Sequence, residues 1–538
     1  MTGVPQLVRA ALRRDRAQLA LWALGLAAGA ALCAANIASG FGQEAQRIAS
    51  LEVAIDSPAL LIGRGLPMGA SQGAFLFYTY GVVLATVFAL FATLFAVRHG
   101  RAEEDDGARE LLRAAATGRL SSLVAMFATG ATATVGLAAA MAIGLIAGGA
   151  DPAGSLWAGV TCALVGLVFL ATGALTGQLA PTARAATGLG AGIIAAFFVV
   201  RVIADVTAEI DPDTLIGTPS PLGWLSPFSL ALITDPYGAV NPLPLFALAA
   251  ASGVGAAAAV AVERRREFGA SIMRPRPGPA RAPATLRTPL RLTLRLQRGT
   301  LVAMMLAGVV VGAFAAVLAA LALSGDDQNE AIGDTIRALV GADGPLYDLL
   351  LSYVMVLVGE CAAVAGALAI LRARREEAGG NVEMVRGAPT GPGRWFVSVL
   401  AVGAVSIALV LATAWIGATA VYLAEGMSGQ AVLEALAATV ANLPAAVLYL
   451  GVIALVFAAL PRLTGAIAWT ILALGVVLTE LGGRLGLPNW AIKVSPFTHT
   501  PLVTTEDPNW GGAIWMSAAA VTTTVVALAV YRRRDLSP

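Results

Sequence analysis

Twelve stretches of the chain are apolar over a length that can cross a membrane, and this pattern limits the possible folds more than any other feature. A helix needs about 20 mainly apolar residues to span the hydrocarbon core of a bilayer. With hydrophobic residues at 58% and charged residues at 13%, the chain has more apolar surface than a soluble domain covers. The sequence therefore predicts an all-α polytopic membrane protein with about twelve transmembrane helices. The predicted spans are roughly residues 18–38, 74–97, 121–148, 155–179, 186–204, 243–262, 301–323, 347–371, 396–423, 431–460, 463–482 and 512–531.

The distribution of arginine and lysine predicts the orientation of these spans. If the N-terminus is cytoplasmic, about 29 of the 35 Lys and Arg fall in cytoplasmic segments. The opposite orientation would reverse this bias, whereas membrane proteins enrich basic residues in cytoplasmic loops. Both termini are therefore predicted to be cytoplasmic. The basic residues then left outside are Arg47, Arg64, Arg201, Arg337, Arg484 and Lys493.

Two charged segments of similar sequence interrupt the apolar pattern. We call residues 98–119 the first island and residues 372–394 the second island. Each lies between two predicted spans, so each is expected to be a polar loop. One gapless register aligns Glu103 with Glu376, Glu104 with Glu377, Gly107 with Gly380, Glu110 with Glu383, Arg113 with Arg386 and Gly118 with Gly391.

The repeat extends beyond the islands. Residues 224–228 recur loosely at residues 490–497, both ending in Ser-Pro-Phe. Similar offsets along the chain indicate two versions of one unit. Because each unit has an even number of spans, the sequence predicts two parallel six-helix repeats related by a pseudo-two-fold axis along the membrane normal, with a substrate path between them. The predicted parts are a first half at residues 1–270, a Pro/Arg-rich cytoplasmic linker at residues 271–289, and a second half at residues 290–538.

Regularly spaced arginines precede the first span of each half. Their spacing of three or four residues places them on one face of a helix, with leucines on another face. This pattern is typical of a helix that lies in the membrane interface. The segment at residues 290–297 also alternates with period two, but a strand would have no partner here, so a helix is favoured. The predicted interfacial residues are Arg9, Arg13, Arg16, Arg291, Arg295 and Arg298.

The first island resembles a loop of a known transporter family. Glu-Glu-x-x-Gly-x-x-Glu-Leu-Leu followed by Thr-Gly-Arg, at residues 103–119, is similar to the cytoplasmic loop of fused ABC-2-type exporter permeases, the antibiotic (polyketide, tetronasin-type) exporters. The Ser-Pro-Phe segment before the last span of each half is similar too. In that family the loop holds a coupling helix that docks on an ATP-binding subunit. The chain departs from the family at Ala108 and Asn381, where the family often has Arg.

The resemblance implies what the islands bind. It implies an ABC-2-type transporter fold in a bacterial cytoplasmic membrane, with two copies of a separate ATP-binding subunit that hold ATP and Mg²⁺. No cofactor is expected in this chain, and the expected partners include membrane lipids but no nucleic acid. The coupling role is placed on Glu103, Glu104, Gly107, Glu110 and Arg119 in the first island, and on Glu376, Glu377, Gly380 and Glu383 in the second.

The residues of the islands support a helix independently, with two alternatives. Residues 103–106 place carboxylates where the start of a helix would favour them, and Gly118 and Gly391 are candidate C-caps. The acidic residues would then contact the partner. One alternative is a solvated loop that only obeys topology. The other, a magnesium site, does not recur, because Ala378 and Gly379 replace the two aspartates.

The sequence has no motif for chemistry of its own. A phosphate-binding P-loop needs a lysine, and the one lysine, Lys493, follows no Gly-rich loop. His99 and His499 lie beside no cysteine or carboxylate cluster that would suggest zinc or a nucleophilic triad. The chain is therefore predicted not to be an enzyme. No metal site is predicted.

Charged residues also occur within the spans. Glu360 in mid-span is a possible intramembrane polar site for a proton or cation, or a structural hydrogen-bonding group. Arg201 and Asp205 are one helical turn apart and are expected to form a local ion pair.

The predicted function is the permease of an ATP-driven ABC exporter for hydrophobic or amphipathic compounds such as antibiotics and other drugs. The alternatives are a proton-coupled secondary transporter centred on Glu360 and a membrane-embedded enzyme acting on lipid.

Overall fold

A computed structural model gives the architecture of most of the chain. It divides into two compact units, Met1–Gly278 and Pro279–Pro538. Most of the predicted linker, and the predicted features at Arg113, Arg337 and Arg484, lie outside the described residues. The structure describes residues 3–55, 61, 63–107, 109–110, 118–211, 213–267, 269–273, 283, 286, 288–323, 346–386, 391–480, 482, 487–503 and 508–534.

The first unit consists of helices and one short hairpin. The hairpin pairs β1 (Glu209–Asp211) with β2 (Ile216–Thr218) in antiparallel register. A π-helical turn, Arg98–Ala102, and a last helical turn, Glu103–Asp105, continue the third helix. The helices are α1 (Val4–Gly40), α2 (Glu44–Ile55), α3 (Gln72–Val97), α4 (Ser121–Ala147), α5 (Pro152–Leu179), α6 (Ala183–Val206), α7 (Pro227–Ile233) and α8 (Pro242–Arg265).

The described secondary-structure elements of the second unit are all helices. Its helices are α9 (Pro289–Leu323), α10 (Leu346–Ala378), α11 (Asn381–Arg386), α12 (Pro392–Ala424), α13 (Gly429–Val440), α14 (Leu443–Ala459), α15 (Thr464–Glu480), α16 (Asn489–Ile492) and α17 (Gly511–Arg533).

Twelve helical segments in the described part of the chain are long and apolar enough to cross a membrane, as predicted. The protein is therefore an all-α polytopic membrane protein. The segments are Val4–Gly40, Gln72–Asp105, Ser121–Ala147, Pro152–Leu179, Ala183–Val206, Pro242–Arg265, Pro289–Val317, Tyr347–Ala378, Pro392–Ala424, Gly429–Ala459, Pro461–Glu480 and Gly511–Arg533.

The first and third spans of each unit pack through small residues. In the first unit, a Cβ atom on Gly144 of α4 would lie 2.1 Å from the carbonyl oxygen of Ala27 in α1. In the second unit, a Cβ atom on Gly312 of α9 would lie 1.9 Å from the carbonyl oxygen of Ala414 in α12. Small residues let helix backbones approach closely, which is how helices associate where apolar burial gives no driving force.

The arginines predicted in interfacial helices lie on the first turns of α1 and α9. All six are exposed and helical, and the helix state was predicted correctly. Among the described residues these arginines are not on a separate helix before the span, because α1 is continuous over 37 residues and α9 over 35. Such a helix is about 55 Å long and exceeds the hydrocarbon thickness of about 30 Å. The basic turns therefore extend the first span of each unit beyond the hydrocarbon.

Arg201 and Asp205 form the predicted ion pair, with Nη1 and Oδ2 3.1 Å apart. Arg201 also donates a hydrogen bond to the carbonyl oxygen of Leu61 and lies 4.5 Å over the ring of Phe198. Its side chain is fully buried in the unit rather than lying in an outer loop. The pair therefore holds α6 against residue 61.

Candidate functional site: the two charged islands

The first island begins as a continuation of a membrane helix. The helical segment that begins with α3 continues through the π-helical turn and ends at Asp105. Glu103 and Glu104 therefore lie at the end of a helical segment, not at its start. The prediction of a helix start here was wrong, because the apolar run of α3 stops before the helix does. Carboxylates at a helix C-terminus meet the negative end of the macrodipole. They therefore require compensating cations.

The second island has the same local geometry. α10 continues to Ala378, so Glu376 and Glu377 also lie in the last turn of a helix. In the first island Gly107 donates its N–H to the carbonyl oxygen of Glu104 at 3.1 Å, and Gly380 donates to that of Glu377 at 3.1 Å. The next bonds correspond too, since Glu110 donates to Gly107 and Glu383 donates to Gly380, both at 3.1 Å.

Glycine ends the helix in each island. Gly107 has φ of +73° and Gly380 has φ of +72°, a left-handed conformation that favours glycine. The predicted C-cap at Gly391 was wrong, because Gly391 is the N-cap of α12. Gly118 precedes α4, and residues 111–117 before it lie outside the described residues.

Substituting either left-handed glycine with alanine is expected to destabilise its island by about 1 to 2 kcal/mol, because an L-residue is strained there. Gly107→Ala and Gly380→Ala should each lower the thermal unfolding temperature of the purified protein. Gly100→Ala is the matched control, since Gly100 lies in the π-helical turn with nothing within 4 Å of its Cβ position. An unchanged unfolding temperature in both variants would contradict the strain argument.

Three arginines compensate Glu104. Its side chain is 3% exposed, and its carboxylate accepts hydrogen bonds from Arg109 at 2.7 Å, from Arg266 at 2.9 Å and from Arg101 at 3.2 Å. All three arginine side chains are buried as well. Such a cluster is stable only while every charge keeps its partners.

Arginines also connect the first island to other parts of its unit. Arg266 is the first residue after α8 and also pairs with Glu263 at 3.2 Å. Arg119 donates to the carbonyl oxygen of Arg266 at 2.9 Å. Arg101 donates to the carbonyl oxygen of Pro181, in the turn between α5 and α6, at 2.6 Å. The first island is therefore fixed to the end of the last span of the first unit.

Glu377 has a corresponding ion pair in the second unit. Its side chain is 2% exposed and pairs with Arg534, the first residue after α17. Arg534 also donates to the carbonyl oxygen of Phe457 at 2.7 Å and lies over the rings of Phe457 and Tyr531. We call the Glu104–Arg266 and Glu377–Arg534 contacts the island–helix ion pairs. In each unit they join the second glutamate of the island to the residue that follows the last span.

The first glutamate of each island contacts other basic groups. Glu103 accepts a hydrogen bond from Arg14 of α1 at 2.7 Å. Beside it, buried Asp15 bonds His99 at 2.6 Å. In the second island, Glu376 pairs with Arg372 at 2.7 Å, and Arg372 donates to the carbonyl oxygen of Leu296 in α9 at 2.6 Å. Both islands therefore also contact the first helix of their unit.

The islands still expose other acidic side chains. Asp106 and Glu110 are exposed on the first island, and Glu383 is exposed on the second. The side chain of Asp105 is 30% exposed and pairs with Arg101, with Oδ1 and Nε 3.0 Å apart. The side chains of Glu104 and Glu377 are buried, so the expectation that these two contact a partner directly does not agree with the structure. Their contacts instead position the exposed residues.

Sequence reasoning missed Arg266 and Arg534 as site residues. A signal was present: each is the third arginine of a triplet, at residues 264–266 and 532–534, that follows the last span of a half. Glu360, the predicted intramembrane site, lies in the middle of α10, about four turns before Glu376 of the second island.

Comparison with known proteins gives two matches. Residues 286–532 match the family described as "Multidrug efflux system permease Rv1217c, C-terminal domain". Over 543 aligned residues the chain is 29% identical to the "Multidrug efflux system permease protein Rv1217c" of Mycobacterium tuberculosis (strain ATCC 25618 / H37Rv). The match covers 99% of this chain and 95% of that protein. The similarity therefore extends over both units.

Proposed function

We propose that the chain is the transmembrane permease of an ABC exporter for hydrophobic or amphipathic compounds, including drugs. The observation that carries the proposal is the recurrence of one island geometry, with its island–helix ion pair, in both units. A loop whose charges only set the membrane orientation would not require an ion pair with a buried glutamate in both units. The full-length similarity to a protein named as a multidrug efflux permease supports the drug substrates.

In this proposal each island docks on one copy of a separate ATP-binding subunit, and ATP and Mg²⁺ are held there. The two halves are related by a pseudo-two-fold axis along the membrane normal, and the substrate passes between them. The exposed acidic residues contact the partner. The island–helix ion pairs transmit the movement of the partner to the last span of each half, because a buried ion pair resists separation.

The experiment that tests the proposal measures ATP hydrolysis. The purified chain alone should hydrolyse no ATP, and a complex with a separate ATP-binding subunit should hydrolyse ATP faster when a drug is added. The matched control is the ATP-binding subunit alone. Hydrolysis by the single chain, or drug transport driven by a pH gradient without any partner, would contradict the proposal and favour the proton-coupled alternative.

The proposed topology predicts a labelling pattern. With both termini and both islands in the cytoplasm, a cysteine at Glu110 should not react with an impermeant maleimide in intact cells, but should react after permeabilisation. A cysteine at Asp213, in the exposed turn between β1 and β2, should react in intact cells. The unsubstituted protein, whose Cys33, Cys162 and Cys361 lie in spans, gives the background. Labelling of Glu110→Cys from outside would reject the orientation.

A further inference from the structure

A buried polar cluster lies in the second unit, away from the second island. Glu360 in α10 is 6% exposed, and its Oε1 atom has no hydrogen-bond partner among the described residues. A carboxylate at this depth in a membrane span is costly unless another group offsets its charge or fills its open acceptor positions. In the gapless register of the islands, the corresponding residue of α3 is apolar Val87. In this register the first unit therefore has no carboxylate at the position of Glu360.

A second carboxylate faces the same side of α10. Tyr353 donates its hydroxyl hydrogen to Oε2 of Glu480, at the end of α15, at 2.5 Å. Tyr353 and Glu360 are seven residues apart, which is two turns, so they lie on one face of α10. Two carboxylates on one side of α10 favour a bound positive charge.

Hydroxyl and aromatic groups surround the two carboxylates. Tyr449 lies in α14, and its side chain is buried. The Ser495 hydroxyl lies 2.8 Å from that of Thr479, and the Tyr449 ring stacks on Phe497 with centroids 5.5 Å apart. Aromatic rings beside carboxylates are suited to organic cations, because the ring faces attract positive charge.

Asn442 gives a second, independent sign of an unfilled acceptor. It is 2% exposed, and its Oδ1 atom has no hydrogen-bond partner in the part of the chain that the structure describes. A Cβ atom on Gly359 would lie 2.9 Å from this oxygen, so Asn442 packs against α10 beside Glu360. Buried acceptors without partners are rare in native structures and call for a missing donor or ion. Here the described groups near Glu360 are carboxylates, hydroxyls, an amide and the thiol of Cys361.

We propose that this cluster, formed by Glu360, Glu480 and Asn442 with Tyr353 and Tyr449, binds the positive charge of amphipathic organic cations. The inference rests on the proposed export function and names a substrate class for it. An ammonium group would offset the two carboxylates, and its hydrogens or polarised methyl groups would fill the open acceptors. The cluster would thus distinguish cationic from uncharged compounds of similar size.

Dye binding to the purified full-length chain tests this inference. Ethidium is an aromatic cation, and Nile red is an uncharged aromatic dye of similar size. Glu360→Gln keeps the shape of the side chain but removes its charge, so it should weaken ethidium binding at least tenfold and leave Nile red binding unchanged. Glu480→Gln should act in the same direction. Glu425→Gln, which changes an exposed glutamate of the same unit, is the matched control.

Fluorescence anisotropy gives both affinities, and thermal unfolding shows whether each variant is folded. If Glu360→Gln does not fold, Glu480→Gln carries the test. Three results would overturn the inference: no ethidium binding by the unsubstituted chain, unchanged ethidium binding in the folded variants, or an equal loss of both dyes. A failure of the proposed export function would appear in the ATP-hydrolysis experiment, as no hydrolysis with the partner. The dye-binding result could still be interpreted.

Discussion

Replacing Glu104 with arginine is expected to destabilise the first unit more than any other single change in its island. The new cation would lie among Arg101, Arg109 and Arg266, all buried, with the carboxylate that offsets them removed. Breaking a buried ion pair costs about 3 to 5 kcal/mol, and placing like charges together adds to this. The thermal unfolding temperature of the purified protein should fall markedly, and ATP hydrolysis with the partner should be lost.

Glu110→Arg is the control for Glu104→Arg, because Glu110 is exposed on the same island. A surface change of this kind usually alters stability by no more than about 0.5 kcal/mol. If exposed acidic residues contact the partner, Glu110→Arg should instead weaken partner binding. A loss of about 1.4 kcal/mol of binding free energy corresponds to a tenfold lower affinity. Equal unfolding temperatures for the two variants would refute the structural role of Glu104.

Much of the fold could be predicted from the sequence, because the constraint of the bilayer is strong. A helix is the natural way to satisfy every backbone group within one span, so each apolar run of sufficient length becomes a helix. The ends were less predictable. Residues 18–38 were predicted for the first span, whereas α1 runs from Val4 to Gly40. Hydropathy marks the apolar part of a helix, and the basic turns before it carry no such signal.

The candidate site was predicted only in part, for a related reason. The register of the islands correctly aligned Gly107 with Gly380, whose left-handed conformations agree. The direction of the helix at Glu103 and Glu104 was not predictable, because acidic residues favour a helix start in isolation. Arg266, more than 160 residues away along the chain, pairs with Glu104 and so offsets its charge at the end of the helix. A tertiary contact of this range has no local pattern in one sequence.

Burial also separates residues that look alike in the sequence. Glu104 and Glu110 are both acidic residues of one charged loop, yet the first is enclosed by arginines and the second is exposed. The same division holds for Glu377 and Glu383 in the second island. The island therefore combines a fixed inner side, which positions it, with an outer side that remains available for a partner.

The second island permits a sharper test, because its ion pair is simpler. Glu377→Arg alone should cost about 3 to 5 kcal/mol of stability, since it places a buried cation against Arg534, whose side chain is 14% exposed. Adding Arg534→Glu restores opposite charges at the same two positions. The double variant should therefore recover part of the lost unfolding temperature and of the ATP hydrolysis with the partner. Recovery should be incomplete, because a glutamate cannot donate to the carbonyl oxygen of Phe457 as Arg534 does.

The corresponding exchange in the first island, Glu104→Arg with Arg266→Glu, should recover less. Arg101 and Arg109 would still face the new arginine, so opposite charge would return on one side only. The control is Arg533→Glu, which reverses an exposed arginine next to Arg534 and should change stability little. Each double variant is compared with its own single variant, Glu377→Arg or Glu104→Arg. If the unfolding temperatures are equal, charge pairing does not hold the islands. Greater recovery in the first island than in the second would contradict the described arrangement of arginines.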